Sequence, residues 1–264
     1  MSTLSLASRD SVTMLRRFLL RARRYPSMTF ILLAMPITFL LLFVYVFGGA
    51  LGAGIGGAAG GRADYANYVI PGILLMTVAG TAQGTAISVA MDMAEGIIAR
   101  FRTMSIFRPS VLTGHVLGSL IQTMFSLAVV VGIGVLVGFR PTATGIEWLA
   151  AAGVLAMITF AVIWLSVACG LVSKSVETAS NLPMPLILLP FLGSGFVPTD
   201  SMPAPVAWFA DYQPFTPVME TVRGLLLGTA IGNNAILAVA WSVAITVASF
   251  LWARKLYNRD PSPV

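Results

Sequence analysis

The chain has 264 residues, 57% hydrophobic and 10% charged, with a mean hydropathy of +0.89 and a formal net charge of +6. A soluble domain carries about 25% charged residues, and the ten acidic and sixteen basic side chains here are too few to cover a 27.9 kDa globule in water; the bilayer must be the main solvent. The single cysteine, Cys169, excludes a disulfide framework and any CxxC site, and the single histidine, His115, excludes a two-histidine metal centre.

From the N-terminus, residues 8–25 place Val12, Leu15, Phe18, Leu19 and Ala22 at helical spacing among Arg16, Arg17, Arg21, Arg23 and Arg24, and Pro26 stops the pattern. The spacing predicts an amphipathic helix lying on the membrane interface, with a disordered basic tail as the alternative. Six charge-free apolar runs of spanning length follow, at 28–47, 69–91, 113–137, 148–172, 179–197 and 235–253. The first is too long for the apolar core of a cleavable signal peptide and has no small-residue cleavage site after it.

Cation placement orients these runs. With a cytoplasmic N-terminus, Arg9, Arg16, Arg17, Arg21, Arg23, Arg24, Arg100, Arg102, Arg108, Lys174, Arg254, Lys255 and Arg259 lie inside, and Arg62, Arg140 and Arg223 outside. That asymmetry predicts six spans and both termini in the cytoplasm. It also gives the basic excess a membrane explanation; no zinc-finger spacing or recognition-helix pattern points to nucleic acid.

Between the runs, Gly48–Gly61 is so rich in glycine that a flexible outer loop is expected rather than a helix. The second run carries a polar stripe of Thr77, Thr81, Gln83, Thr85 and Ser88, which suits a translocation path or helix–helix hydrogen bonding. Residues 92–110 form the longest cytoplasmic loop. There Ile97, Ile98, Phe101 and Met104 share one helical face, with Arg100, Arg102 and Arg108 around it, so this segment must rest on lipid or on a partner protein. The fifth run contains Pro183, Pro185 and Pro190 and should kink or break inside the bundle. The outer segment 198–234 is too long for a turn and predicts two short helices dipping into the interface.

The runs hold no ionisable residue near their centres, which disfavours an ion-coupled carrier. Gly193-Ser194-Gly195 suggests an intramembrane serine protease, but Ser194 and His115 would differ in depth by roughly 20 Å at 1.5 Å per residue, too far for a catalytic dyad. No GxxxxGK[ST] run occurs. Energy for active transport would therefore enter through another polypeptide.

The motifs EGIIARFR (95–102), GFRP (138–141), FLGSGFVPTDSMP (191–203) and QPFTPVMETVRGLLLG (213–228), with NYVIPGILLMT (67–77), resemble the permease subunits of type-2 ABC exporters, most closely the daunorubicin-resistance-type permeases of actinobacteria. The resemblance covers nearly the whole chain. It implies an all-α, six-span bundle that pairs with a second permease copy or a homologous permease above two separately encoded P-loop ATPase subunits, which would bind ATP and Mg; the chain itself would hold no cofactor or metal and catalyse nothing.

Residues 8–25 would be the connecting helix and Glu95–Phe107 the coupling helix. Glu95, Gly96, Ile97, Ile98, Arg100, Phe101, Arg102, Met104 and Arg108 would contact the ATPase, the apolar members buried and the charged ones at the rim. Thr103-Met104-Ser105 departs from the leucine-proline pair that relatives often carry, which leaves the end of that helix open. Pro203–Leu227 would be the outer re-entrant helices, with Pro203, Pro214, Pro217, Glu220 and Arg223 shaping them; Glu220 and Arg223 could pair or stand on a solvated face. The implied cargo is an amphipathic drug, antibiotic or lipid, exported across the cytoplasmic membrane of a bacterium, an actinobacterium by the preference for Arg over Lys. A polysaccharide or lipid-linked glycan exporter, and a non-transporting membrane sensor or immunity protein, are the alternatives.

Overall fold

A computed structural model of the chain describes residues 26–55, 61–97 and 109–257, together with Val12, Thr13, Leu15, Arg16, Leu20 and Arg24. Those six early positions are helical; the remainder of 8–25 lies outside the described residues. Among the described residues the fold is all-helical, with no strand.

Helix α1 (Pro26–Leu42) runs through a π-helical turn, Phe43–Phe47, into α2 (Gly48–Ile55). Then come α3 (Arg62–Ala94), α4 (Pro109–Val137), α5 (Gly145–Val172), the short α6 (Val176–Asn181) and α7 (Met184–Leu188), a 3₁₀ turn at Thr199–Ser201, α8 (Ala204–Tyr212), α9 (Phe215–Leu227) and α10 (Asn234–Tyr257). Among the described residues five helices are long and apolar enough to cross a membrane: Leu32–Gly52, Arg62–Ala94, Leu112–Val137, Gly145–Val172 and Asn234–Tyr257.

Two expectations bear on this order: the break expected in the proline-bearing fifth run is met, and the outer loop expected at Gly48 is overturned. Residues 179–197 are not one continuous helix: α6 and α7 are interrupted around Pro183, and turns carry the chain from Leu189 to Phe196. Prolines at 183, 185 and 190 each remove a backbone donor and crowd the preceding turn, so the helix breaks rather than bends. Second, Gly48–Ile55 is helical rather than a loop. Hydrocarbon offers the backbone no water, so the helix is the conformation that satisfies it despite poor intrinsic propensity. Gly48 also lies against the first turn of α3, where an added Cβ would meet the Arg62 side chain at 3.2 Å.

Helix α3 is the axis of the bundle. It contacts α1, α2, α4, α5, α6, α7 and α9, and its face from Val69 to Ala79 is buried without interruption. Carboxylate caps start α3 and α5 several residues before the apolar runs begin: Gly61 N donates to Asp64 Oδ2 at 2.9 Å, and at α5 the cap is reciprocal, with Thr144 N donating to Glu147 Oε2 at 2.6 Å and Glu147 N to Thr144 Oγ1 at 3.4 Å. Small residues allow close helix approach, as in other membrane bundles: a Cβ on Gly170 of α5 would stand 2.7 Å from the Ala86 carbonyl of α3.

The bundle has two ends. At the basal end Val89, Leu112, Val116, Val167, Ala168, Ala253 and Tyr257 cluster with Ile163 and Trp164. The apical end holds the α8–α9 helical hairpin and the 138–144 turn, which Thr142 N ties to Leu226 O at 3.0 Å.

Candidate functional site

At the basal end, α3 stops at Ala94, and Glu95 N and Gly96 N close its last turn on Met91 O and Met93 O at 2.9 and 3.1 Å. Gly96 takes the left-handed conformation (φ +67°), which suits a glycine leaving a helix. Glu95 is exposed, and Gly96 and Ile97 are half-buried. The other residues expected to couple to an ATPase, Ile98, Arg100, Phe101, Arg102, Met104 and Arg108, lie outside the described residues.

Just inside this exit, His115 Nε2 of α4 lies 3.1 Å from Asp92 Oδ2 of α3, with the two side chains 9% and 2% exposed. Two turns deeper, Thr85 Oγ1 donates to Ser119 Oγ at 2.9 Å. The roots of the 92–110 connection are thus joined by two buried polar bridges. The sequence reading used His115 to exclude a two-histidine metal centre and a dyad with Ser194, and gave Asp92 no role. The available signal was depth: the two stand at equivalent distances from the same end of consecutive antiparallel spans.

The polar stripe of α3 divides by partner. Thr77 and Thr81 donate back to Ile73 O and Val78 O of their own helix, at 2.8 and 2.7 Å. Gln83 Nε2 donates to Ser180 O of α6 at 3.1 Å, Thr85 bridges to α4, and Ser88 is half-buried.

At the apical end the broken segment meets α9. The break releases carbonyls from helical bonding, and in hydrocarbon such groups need another donor. Two side chains of the helical hairpin supply it. Gln213 Nε2 donates to Leu189 O at 2.9 Å and to Thr216 Oγ1 at 3.2 Å. Arg223 Nη2 donates to Ser194 O at 2.7 Å and to Tyr68 O of α3 at 3.1 Å, while Nη1 pairs with Glu220.

The Arg223 guanidinium also sits 4.1 Å from the centre of the Tyr68 ring, and the residue is only 6% exposed. A cation at this depth is costly unless paired; here a carboxylate, two carbonyls and an aromatic face share it. Of the two arrangements considered for Glu220 and Arg223, the paired one forms.

The expected shaping prolines sit at helix starts: Pro203 and Pro214 precede α8 and α9, and Pro217, buried, lies in the first turn of α9, where a missing N–H costs little. Gly228 ends α9 in the left-handed conformation (φ +72°). Beside this joint Phe191 stacks on Phe196 at 4.5 Å, Phe43 lies 4.6 Å from Phe196, and Tyr65 Oη donates to Phe196 O at 3.4 Å. Gln213, Tyr68 and this ring cluster escaped sequence reading, because nothing local in a membrane sequence marks which side chain will meet a freed carbonyl.

The chain is similar in sequence to known membrane transport proteins. The family described as ABC-2 type transporter matches residues 10–227. The daunorubicin resistance ABC transporter permease protein DrrB1 of Streptomyces coeruleorubidus is 30% identical over 222 residues, covering 83% of this chain and 76% of its own length. The probable doxorubicin resistance ABC transporter permease protein DrrC of Mycobacterium tuberculosis is 24% identical over 179 residues, 68% of this chain and 65% of its own length.

Proposed function

The chain belongs to the ABC-2 type transporter family, and from that membership we propose that it is the membrane subunit of an ATP-driven exporter of amphipathic drugs, antibiotics or lipids. The observation that carries this reading is the similarity over 83% of the chain to a daunorubicin resistance permease; the doxorubicin resistance permeases support the same class of cargo.

In this reading the basal end faces the cytoplasm. Lys174, Arg254 and Lys255 belong to that end by chain order, which fits the positive-inside rule. Of the three contrary cations, Arg223 is paired internally and Arg140 donates to Val135 O at 2.9 Å. The broken 179–197 segment serves as the sixth crossing. The permease works as a pair, with a second copy or a homologous chain, over separately encoded P-loop ATPases that bind ATP and Mg²⁺.

Residues 95–108 dock in the ATPase: Ile97, Ile98, Phe101 and Met104 fill its cleft, and Glu95, Arg100, Arg102 and Arg108 make rim pairs. Nucleotide-driven closure of the ATPases pulls on this segment. The Asp92–His115 and Thr85–Ser119 bridges pass the pull to α3 and α4, and the helices exchange one packing for another. The stripe Thr77, Thr81, Gln83, Thr85 and Ser88 borders the route, trading bonds within the chain for substrate contacts as the helices rock.

The test is affinity purification of the tagged full-length chain from its native membrane, beside a Phe101→Asp variant, with mass spectrometry of bound proteins. A P-loop ATPase should accompany the parent and be lost from the variant. Its absence from the parent, under conditions that preserve other membrane complexes, would remove the exporter reading.

A further inference from the structure

The apical joint does more than fill the bundle. Two of its bonds, from Gln213 to Leu189 O and from Arg223 to Ser194 O, reach backbone carbonyls of a segment that has already abandoned its helix, so they can exchange without unwinding anything there. Three further polar atoms are buried in or beside this cluster without a hydrogen-bond partner among the described residues: Ser194 Oγ, Gln213 Oε1 and Arg223 Nε. The residues that carry them are 4%, 4% and 6% exposed.

A guanidinium donor, an amide acceptor and a hydroxyl that can do either are thus left unpaired. That state is unfavourable in a low-dielectric interior, which favours a shift of α9 against Ser194 that would pair them. The backbone around Ser194 is built for such a shift. Gly193 and Gly195 flank it, and α3 approaches so closely that a Cβ on Gly72 would meet Gly195 O at 2.6 Å. Contact with α3 there is backbone on backbone, while on the hairpin side Gln213, Thr216 and Met219 fill the space that Cβ atoms on Gly193 and Gly195 would take, so those side chains move with α9.

We propose that Arg223 and Gln213 are the latch of the apical exit: by capping the carbonyls of Ser194, Tyr68 and Leu189 they hold α9 closed on the broken segment, and release of those bonds opens the way out for the exported molecule. The proposal rests on the permease reading above. It makes Arg223 and Gln213 positioning residues, since neither needs to touch cargo, and it distinguishes a moving latch from a fixed brace.

The experiment places a reporter at the joint. Ser194→Cys in a Cys169→Ser background gives the full chain one thiol, nearly isosteric with the native hydroxyl and buried while the latch is shut. Membranes containing the chain and its ATPase are treated with a membrane-impermeant maleimide applied from each side in turn. Labelling from the outer side should be slow at rest. It should rise at least tenfold with ATP and vanadate, and to a similar level without nucleotide in Arg223→Gln. Gln213→Met, which keeps the volume and removes the donor to Leu189, should move it the same way and serves if Arg223→Gln does not yield monodisperse protein.

Unchanged labelling in these variants with the ATPase still bound overturns the latch and leaves the permease intact. Labelling that rises in the variants but ignores nucleotide, in a complex that hydrolyses ATP, reduces the joint to a brace and also overturns the proposal. Failure of any ATPase to co-purify strikes the permease reading instead, and the comparison of Arg223→Gln with parent, which needs no ATPase, still reports whether Arg223 holds the joint shut.

Discussion

Helices α3 and α10 are both long, apolar and uninterrupted by charge at their centres, yet they occupy opposite places in the molecule. α3 is 72% buried over its most apolar stretch, and α10 is 17% buried. The less hydropathic of the two is the core. In water the ranking would be reversed, because burial there follows hydrophobicity. In a bilayer, lipid solvates leucine as well as a neighbouring helix does, and what selects the interior is the ability to approach closely and to exchange hydrogen bonds.

α3 carries Gly72, Thr77, Thr81 and Thr85 inward. α10 turns its small residues, Ala238, Ser242, Ser249 and Ala253, toward the bundle and leaves Ile236, Val243, Val247 and Leu251 exposed. If that account is right, adding bulk at a small residue on the axis should be the most damaging change in the molecule. Gly170 of α5 meets α3 where an added Cβ would lie 2.7 Å from Ala86 O and 2.8 Å from Val89 Cβ. Backbone cannot step aside as a flexible side chain can, so Gly170→Leu should cost about 3 kcal/mol. Size-exclusion profiles in mild detergent should then show little monodisperse protein. A profile matching the parent would mean that α3 and α5 are not in contact as described.

The same contrast explains what sequence reading could and could not reach. Hydropathy over a spanning length marked the five long helices, and the proline cluster at 183, 185 and 190 marked the broken segment, because these signals are local to the chain. The starts of α3 and α5 were misjudged by several residues, since capping by Asp64 and Glu147 extends them beyond the apolar run. Gly48–Ile55 was misjudged because propensity measured in water undervalues a helix that has no competing solvent. The motif around Glu220 and Arg223 drew attention to α9, but nothing in it tied Arg223 to Ser194 and Tyr68 or Gln213 to Leu189. Ser194 and Tyr68 lie 29 and 155 residues from Arg223 along the chain, and Leu189 lies 24 from Gln213; only the topology brings them to one joint.

Hydrogen bonding between helices gives a smaller and different test of the axis. Thr85→Val keeps the volume of the side chain and removes its bond to Ser119, leaving the Ser119 hydroxyl at 6% exposure without the Thr85 donor. The expected cost is about 1 kcal/mol, read as a modest fall in the thermal midpoint of the detergent-solubilised protein. Ser119→Ala on the same background should recover part of it, because the orphaned acceptor is gone. Full additivity of the two substitutions would show that the bridge between α3 and α4 is not energetically coupled.

The smallest expected effect lies on α10, and it sharpens the comparison most directly because it concerns large apolar residues that a soluble core could not lose. Val243 is 53% exposed and Ile236 71%. With lipid around them, truncation exchanges a side chain–lipid contact for a lipid–lipid contact, and neither a cavity nor an unsatisfied group results. Val243→Ala and Ile236→Ala should each change the thermal midpoint by the equivalent of less than about 0.5 kcal/mol, and cross-linked dimer yield in native membranes should stay at the parental level. A loss of about 2 kcal/mol or more, of the size seen when a packed methyl-rich side chain is removed from a protein core, would mean that this face is covered by another polypeptide. The contrast between α3 and α10 would then become one between packing within a chain and packing between chains, and a fall in cross-linked dimer would identify the cover as a second copy.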